Sequence, residues 1–415
     1  MNSEKIRQNR TICIPFDEDL YNNIVRDAPK FRQYVEMIFL DEPQLFPQEM
    51  SKGFQLKEIR PSIKACLSIR RILVRGTSYS IRPSFMTPYL TARVRDVEDP
   101  LLLRKYGVPF WVIAKLFGRD PMFWHRMERT LGRFSLVGTT IQDSKKLPEH
   151  LLADEKHSKL GGEKAYVATT VANDNECILG ASVAEDATAK AFEKAYGVFK
   201  GESRKMDPGY SPETVNTDGF QSTRKAWKAL FPLVTILSCF LHVFIKLRDG
   251  TKKKFKATFL LVATKLWDCY KAENKGSFSQ RVRRLCEWAK AEKVPEVMQK
   301  RLKKLRSNRE RYAKSYDHPG AYRTSNMLDR LMRGMDRHLF DTVYFHGGFE
   351  AAELSIRGWA LVQNFAPQHP CTVELNGGAL SRAERLNGKR YHDSWLQNLL
   401  ISASLGGYRS APPKT

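Results

Sequence analysis

The hydrophobic pattern is most regular between residues 148 and 248, where its period switches between two and about 3.6. "HLLADEKH" reads as a strand through Leu151, Leu152 and Ala153 that ends in Asp154. "KAYVATTV" and "CILGASVAE" are β-rich runs separated by the turn "NDNE", which predicts an antiparallel hairpin. "ATAKAFEKAYGVFK" has helical period, with Ala191, Phe192, Ala195, Tyr196 and Phe199 on one side. "ETVNTDG" is a short strand ending at Asp218, and "FQSTRKAWKALF" is a helix stopped by Pro232. "LVTILSCF" is apolar throughout and is expected to be a central strand. The order β-β-β-α-β-α-β predicts an α/β domain with a mixed sheet.

The flanking segments differ in texture. Residues 1–95 read as partly irregular, with the basic run "IKACLSIRRILVRGTSYSIRPSF". Residues 96–147 read as a helix-turn-helix-like, N-terminal helical DNA-binding region. There "PFWVIAKLFG" ends at Gly118, Asp120 can cap the next helix, and Pro121 opens it. That second helix sets His125, Arg126 and Arg129 beside apolar Phe123, Met127 and Leu131, the division a DNA-reading helix requires. An ordinary helical hairpin with a solvated basic face has the same pattern. Residues 249–323 read as a basic helical insertion, 324–400 as further helices of the α/β domain, and 401–415 as a tail.

Charge narrows the partners. The 415-residue chain carries a formal net charge of +24, an excess that opposes compaction unless an anionic partner balances it. From "TKKKFKATF" to "KRLKKLRSNRERYAK" there are roughly three basic residues for each acidic one. Lys252, Lys253 and Lys254 are candidate phosphate contacts in that stretch. DNA is therefore the expected partner. The apolar stretch "FPLVTILSCFLHVFIKL" is short for a membrane span and carries His242 and Lys246, and "MNSEKIRQNR" is polar, so no membrane association is expected. Seven scattered cysteines without a CxxC pair fit free thiols in a reducing cytoplasm.

Asp154 and Asp218 each lie at a strand end. If their strands run parallel and adjacent, the two carboxylates converge at one sheet edge, where open α/β sheets bind ligands. Convergent carboxylates suit Mg²⁺, a hard cation that prefers oxygen. Singly, Asp154 also reads as a solvated strand-end acid and Asp218 as the Asp of an Asp-Gly turn. A third acid is expected from "RTSNMLDRLMRGMDRHLF", whose core stripe is Leu328, Leu331, Met332, Met335 and Leu339. Asp329 is the leading candidate, with Asp336, Glu350 and Glu353 as alternatives.

Cys239 and His242 in "SCFLH" look like half of a zinc site. No second pair accompanies them, and a structural zinc needs four ligands. The expected role is supporting: Cys239 packs at a strand end, and His242 opens a helix near Asp218.

Taken in order, these segments resemble the DDE-type transposases of bacterial insertion sequences, in the branch related to Mutator-like elements. "LLADEKH" is similar to that group's first-Asp strand, and "VNTDGFQSTRKAWKALFP" to its second-Asp segment. "CFLH" is similar to its Cys-x-x-His signature, and "TSNMLD" to the helix bearing the third carboxylate. The likeness covers about residues 150–365. It implies an RNase H-like mixed sheet with a helical insertion, and catalysis at Asp154, Asp218 and Asp329. It also implies Mg²⁺ as cofactor, with Mn²⁺ as a substitute, and cleavage and strand transfer of DNA by a homo-oligomer associated with the nucleoid of a bacterium. Asp329 departs from the family's usual Glu. Two alternative functions remain at this level: a catalytically inactive or co-opted DNA-binding relative, and an RNase H-like nuclease without strand transfer.

Overall fold

The computed structural model describes residues 9–63, 66–251 and 253–408. Lys252 and the last seven residues of the tail lie outside that set. The fold is mixed α/β with two sheets.

The first 95 residues are more ordered than their pattern suggests. β1 (Thr11–Ile14), β2 (Gln55–Ser62), β3 (Leu67–Val74) and β4 (Thr77–Pro83) form a four-stranded sheet in the order β1-β4-β3-β2. Helices α1 (Glu18–Ile24) and α2 (Ala28–Asp41) lie between β1 and β2. The basic run is a hairpin whose β3 alternates buried and half-buried positions from Arg70 on, with Arg70 on the buried face. Ile72 and Val74 of β3 are buried, and Arg70 is buried only because its Nε donates to the Val25 carbonyl at 2.7 Å.

Four helices follow: α3 (Glu98–Lys105), α4 (Phe110–Phe117), α5 (Pro121–Leu131) and α6 (Leu136–Thr140). Asp120 caps α5 by accepting from the Met122 N–H.

The second sheet contains β5 (His150–Leu160), β6 (Glu163–Ala172), β7 (Ile178–Ala184), β8 (Thr214–Thr217) and β9 (Thr235–Ser238), in the order β7-β6-β5-β8-β9. The β5–β6 and β6–β7 pairs are antiparallel; β5–β8 and β8–β9 are parallel. Helices α7 (Ala189–Met206) and α8 (Gln221–Leu230) make the crossovers. Two expectations are corrected here. β5 does not end at Asp154 but continues to Leu160, because Gly161 and Gly162, both at positive φ, close a two-residue hairpin into β6. β9 is an edge strand rather than a central one. Its Ile236 is buried in the core shared with α7 and α8, and α13 (Arg309–Ala313), the last helix of the insertion, lies against the strand.

The insertion comprises α9 (Leu241–Thr251), α10 (Lys256–Tyr270), α11 (Lys275–Ala291), α12 (Glu296–Ser307) and α13. It has its own core around Phe240, Phe259, Leu266, Phe278, Val282 and Leu302. The chain then returns in α14 (Asn326–Asp341) and α15 (Phe349–Phe365), followed by α16 (Pro370–Leu375), α17 (Arg382–Asn387) and α18 (Trp395–Ser402).

The largest core is continuous from the N-terminal sheet through α5, one face of β5–β7, α14, α15 and α18. α5 and α15 pack backbone to backbone: a Cβ on Gly132 would sit 2.0 Å from the Leu354 carbonyl, and one on Gly358 2.3 Å from that of Glu128. The other sheet face packs on α7 and α8 through Tyr196, Phe199 and Trp227.

Candidate metal and DNA site

Strand pairing creates the site. β5 pairs with β8 only from His150 to Leu152, so beyond Leu152 that edge of β5 is open while its other edge continues along β6. Asp154 lies on the open part. Asp218 lies one residue past the end of β8, in the same direction. Its Oδ1 accepts the Phe220 N–H at 2.6 Å, and Gly219 takes φ +90°. Asp218 is thus both the turn residue and the strand-end acid, two readings that looked like alternatives.

Side chains alternate along β5. Asp154 and Lys156 face α14, and Lys156 Nζ binds Asp336 at 2.7 Å. Glu155 faces the opposite layer, where the hydroxyls of Tyr196 and Thr223 each donate to its Oε1 at 2.6 Å.

α14 brings Asp329 to this edge in its first turn. Cys239 fixes its approach. The buried Sγ lies 3.1 Å from the Ser325 hydroxyl and accepts the Ser325 N–H at 3.2 Å, while the N–H groups of Leu241 and His242 also point at it. Burial raises this thiol above its ordinary pKa. Cys239 therefore joins the end of β9, the start of α9 and the start of α14.

The charges respond to one another. Asp154 is pushed up to about 8, first by burial, then by Glu155, Asp218 and Asp329. Its one hydrogen bond among the described residues is from the Glu155 N–H at 3.0 Å. Burial also raises Glu155, with Asp218 adding to the shift. Asp329 is raised by burial, against the opposing pull of His242, Arg333 and Lys156. His242 is lowered by burial and drawn back up by Asp218 and Asp329. Its buried Nδ1 has no hydrogen-bond partner among the described residues. Asp154, Asp218, Asp329 and His242 thus occupy one electrostatic neighbourhood.

The alternative third acids are differently engaged. Asp336 is paired with Lys156, Glu353 is half-buried and accepts the Val183 N–H at 2.6 Å, and Glu350 is exposed at the start of α15. Asp154, Asp218 and Asp329 form no direct ion pair among the described residues, and their mutual repulsion is what a hard divalent cation relieves, so the donor set fits Mg²⁺. Glu155 is not singled out by the sequence, because a strand-end acid and its neighbour look alike until the two faces of the strand are known. The adjacent Asp-Glu pair is its only signal.

The DNA-contact candidates separate. Arg126 is exposed on α5 and Arg129 is half-buried. His125 rests edge-on against Phe110 at 5.5 Å and is lowered to about 4 by burial and by Arg129, so its ring is neutral and offers no cation to a phosphate. Lys253 and Lys254 are exposed between α9 and α10. Trp267 is part of the insertion's packing, and Trp288 lies under Lys265 Nζ at 4.7 Å.

No protein-family model matches the sequence, and no curated protein matches it. No helix among the described residues is long and apolar enough to cross a membrane.

Proposed function

We infer that this chain is a DDE-type DNA transposase with an RNase H-like core. The observation that carries the reading is the shared electrostatic neighbourhood of Asp154, Asp218 and Asp329 at one edge of a β7-β6-β5-β8-β9 mixed sheet. The +24 charge and the basic insertion support DNA as the substrate. The resemblance of the Asp218-to-His242 segment to insertion-sequence transposases supports strand transfer rather than cleavage alone.

Asp154, Asp218 and Asp329 would hold the Mg²⁺. Bound there, Mg²⁺ supplies charge neutralisation at the phosphoryl oxygens and acidifies the attacking water or 3′-hydroxyl. The protein's own part is positioning. The open edge of β5 presents Asp154, the Asx turn fixes Asp218, and the Cys239–Ser325 contact sets the angle of α14 and hence of Asp329. His242, which burial pushes toward the neutral ring, lies beside Asp218 and Asp329. The insertion's lysines and arginines hold the DNA backbone, and two copies of the chain act on two element ends.

The test uses purified protein, Mg²⁺ and DNA from both flanks of the coding region, where inverted repeats are expected. Cleavage and a joined product with precut ends are expected, and Asp218→Asn should abolish both. Absence of metal-dependent cleavage would remove the catalytic claim. Cleavage without joining would favour a nuclease.

A further inference from the structure

At the opposite end of the same sheet, three chain segments bring together a second set of metal-type side chains. His150 opens β5 and pairs in register with Thr214 of β8. Oxygen or nitrogen ligand atoms of Glu149, His150 and Glu213 all lie within 4.8 Å of one another. His150 Nε2 and Glu213 Oε2 are 4.0 Å apart, so a small closing of the two side chains brings both within ligand-bond distance, about 2.0–2.2 Å, of one ion.

Supporting contacts orient these ligands. His150 Nδ1 is 3.1 Å from Thr214 Oγ1. With Nδ1–H donating to that hydroxyl, Nε2 carries the lone pair and faces the glutamates. The other oxygen of Glu213, Oε1, is 2.6 Å from His318 Nδ1. An outer partner on the histidine and another on the carboxylate is the arrangement that fixes metal ligands. The Glu149 carboxylate makes no hydrogen bond or ion pair among the described residues, so ion pairing with His318 accounts for only part of the cluster.

Gly320 leaves the space. A Cβ there would lie 2.8 Å from His150 Nε2 and 3.0 Å from Cδ2, and the residue's φ is not in the left-handed region that demands glycine. The glycine is therefore explained by room beside Nε2, not by backbone conformation. Its segment is held in place by Asn173, whose Nδ2 donates to the Gly320 carbonyl at 2.9 Å.

We propose that Glu149, His150 and Glu213 bind a divalent transition ion of the zinc type, with His318 and Thr214 orienting the ligands. One imidazole and two carboxylates with an open position suit Zn²⁺ better than Mg²⁺, which takes oxygen ligands. The ion clamps the starts of β5 and β8, with His318 tying in the segment that leads into α14. It is a site distinct from the Asp154 edge and does not depend on the transposase reading.

The experiment titrates Zn²⁺ into the full-length Asp154→Asn/Asp218→Asn protein, which silences the other carboxylate site. One Zn²⁺ per chain is expected, with a rise in melting temperature and an absorption-edge spectrum showing a single imidazole among oxygen ligands. Glu149→Gln, an exposed change that leaves the fold intact, should weaken binding at least about tenfold, as should His150→Ala and Gly320→Ala. Thr214→Val should weaken it less. No stoichiometric uptake, or uptake unchanged by both Glu149→Gln and His150→Ala, would overturn the proposal. Loss of DNA cleavage has no bearing on it.

Discussion

The Sγ of Cys239 and the Oγ of Ser325 lie 3.1 Å apart, although 86 residues separate them in sequence. This contact closes the insertion on itself and sets the entry of α14. Cys239→Ala leaves the buried Ser325 N–H and hydroxyl without their partner. A loss of about 1–3 kcal/mol in urea unfolding is expected. Cys239→Ser, which keeps a hydrogen-bonding atom but shortens the bond, should lose less. If both variants unfold with the parent, the contact has no structural role.

Asp154 makes stability depend on pH in an unusual direction for a carboxyl group. Its folded pKa of about 8 lies above the unfolded value near 4. Between those values the folded chain retains a proton that the unfolded chain has lost. The stability from this group is full below about pH 4 and disappears as pH rises through about 8. In metal-free buffer Asp154→Asn should flatten that slope and be more stable than the parent at pH 8, by on the order of 1–3 kcal/mol. Added Mg²⁺ should stabilise the parent more at pH 8 than at pH 6, because metal and proton compete for the same oxygens. Melting curves from pH 5 to 9, with and without Mg²⁺, check both statements.

Asp329 and Asp336 are two turns apart on α14, yet their neighbours divide their roles. Asp336 is neutralised by Lys156, whereas Asp329 interacts with His242 and Asp154. Asp329→Asn should abolish Mg²⁺-dependent cleavage. Asp336→Asn should leave the metal requirement intact and cost about 1 kcal/mol or less, as a partly exposed ion pair does. Equal loss in both variants would reverse the assignment of the third acid.

Glu155 depends on two hydroxyls. Tyr196→Phe removes one of them from a half-buried carboxyl group, at an expected cost of about 1–2 kcal/mol. Thr223→Val should act in the same direction, and the double variant should be worse than the sum of the two singles, because Glu155 then has neither donor. Chemical denaturation of the three variants measures this directly.

DNA affinity should fall steeply with salt. Replacing Lys253 and Lys254 with Glu should weaken binding on every sequence alike. It should also reduce the slope of log K against log salt by about 0.9 for each phosphate that is no longer neutralised. His125→Ala should leave that slope unchanged, since burial keeps the ring neutral.

The hairpin, crossover helices and short parallel strands from 148 to 248 were legible in the sequence, because each is written in a local period or a turn residue. So were Asp218 at a strand end, the Asp120 cap and the apolar stripe of α14. The N-terminal sheet was not, because Arg70 occupies the buried face of β3 beside Arg71 and breaks the apolar alternation until it is seen bonded to a carbonyl.

By itself, the sequence determined which residues could act: one aspartate within β5 and another just past β8, a Cys-x-x-His, a basic insertion. Tertiary structure decided how they are used. It left β5 open beyond Leu152, turned Asp154 toward α14 and Glu155 away from it, engaged Asp336 with Lys156, and moved β9 to the edge under α13. Strand pairing and helix docking join residues far apart in the chain. Whether a carboxylate is neutralised, hydrogen-bonded or left facing other carboxylates depends on those distant neighbours, which no local pattern records.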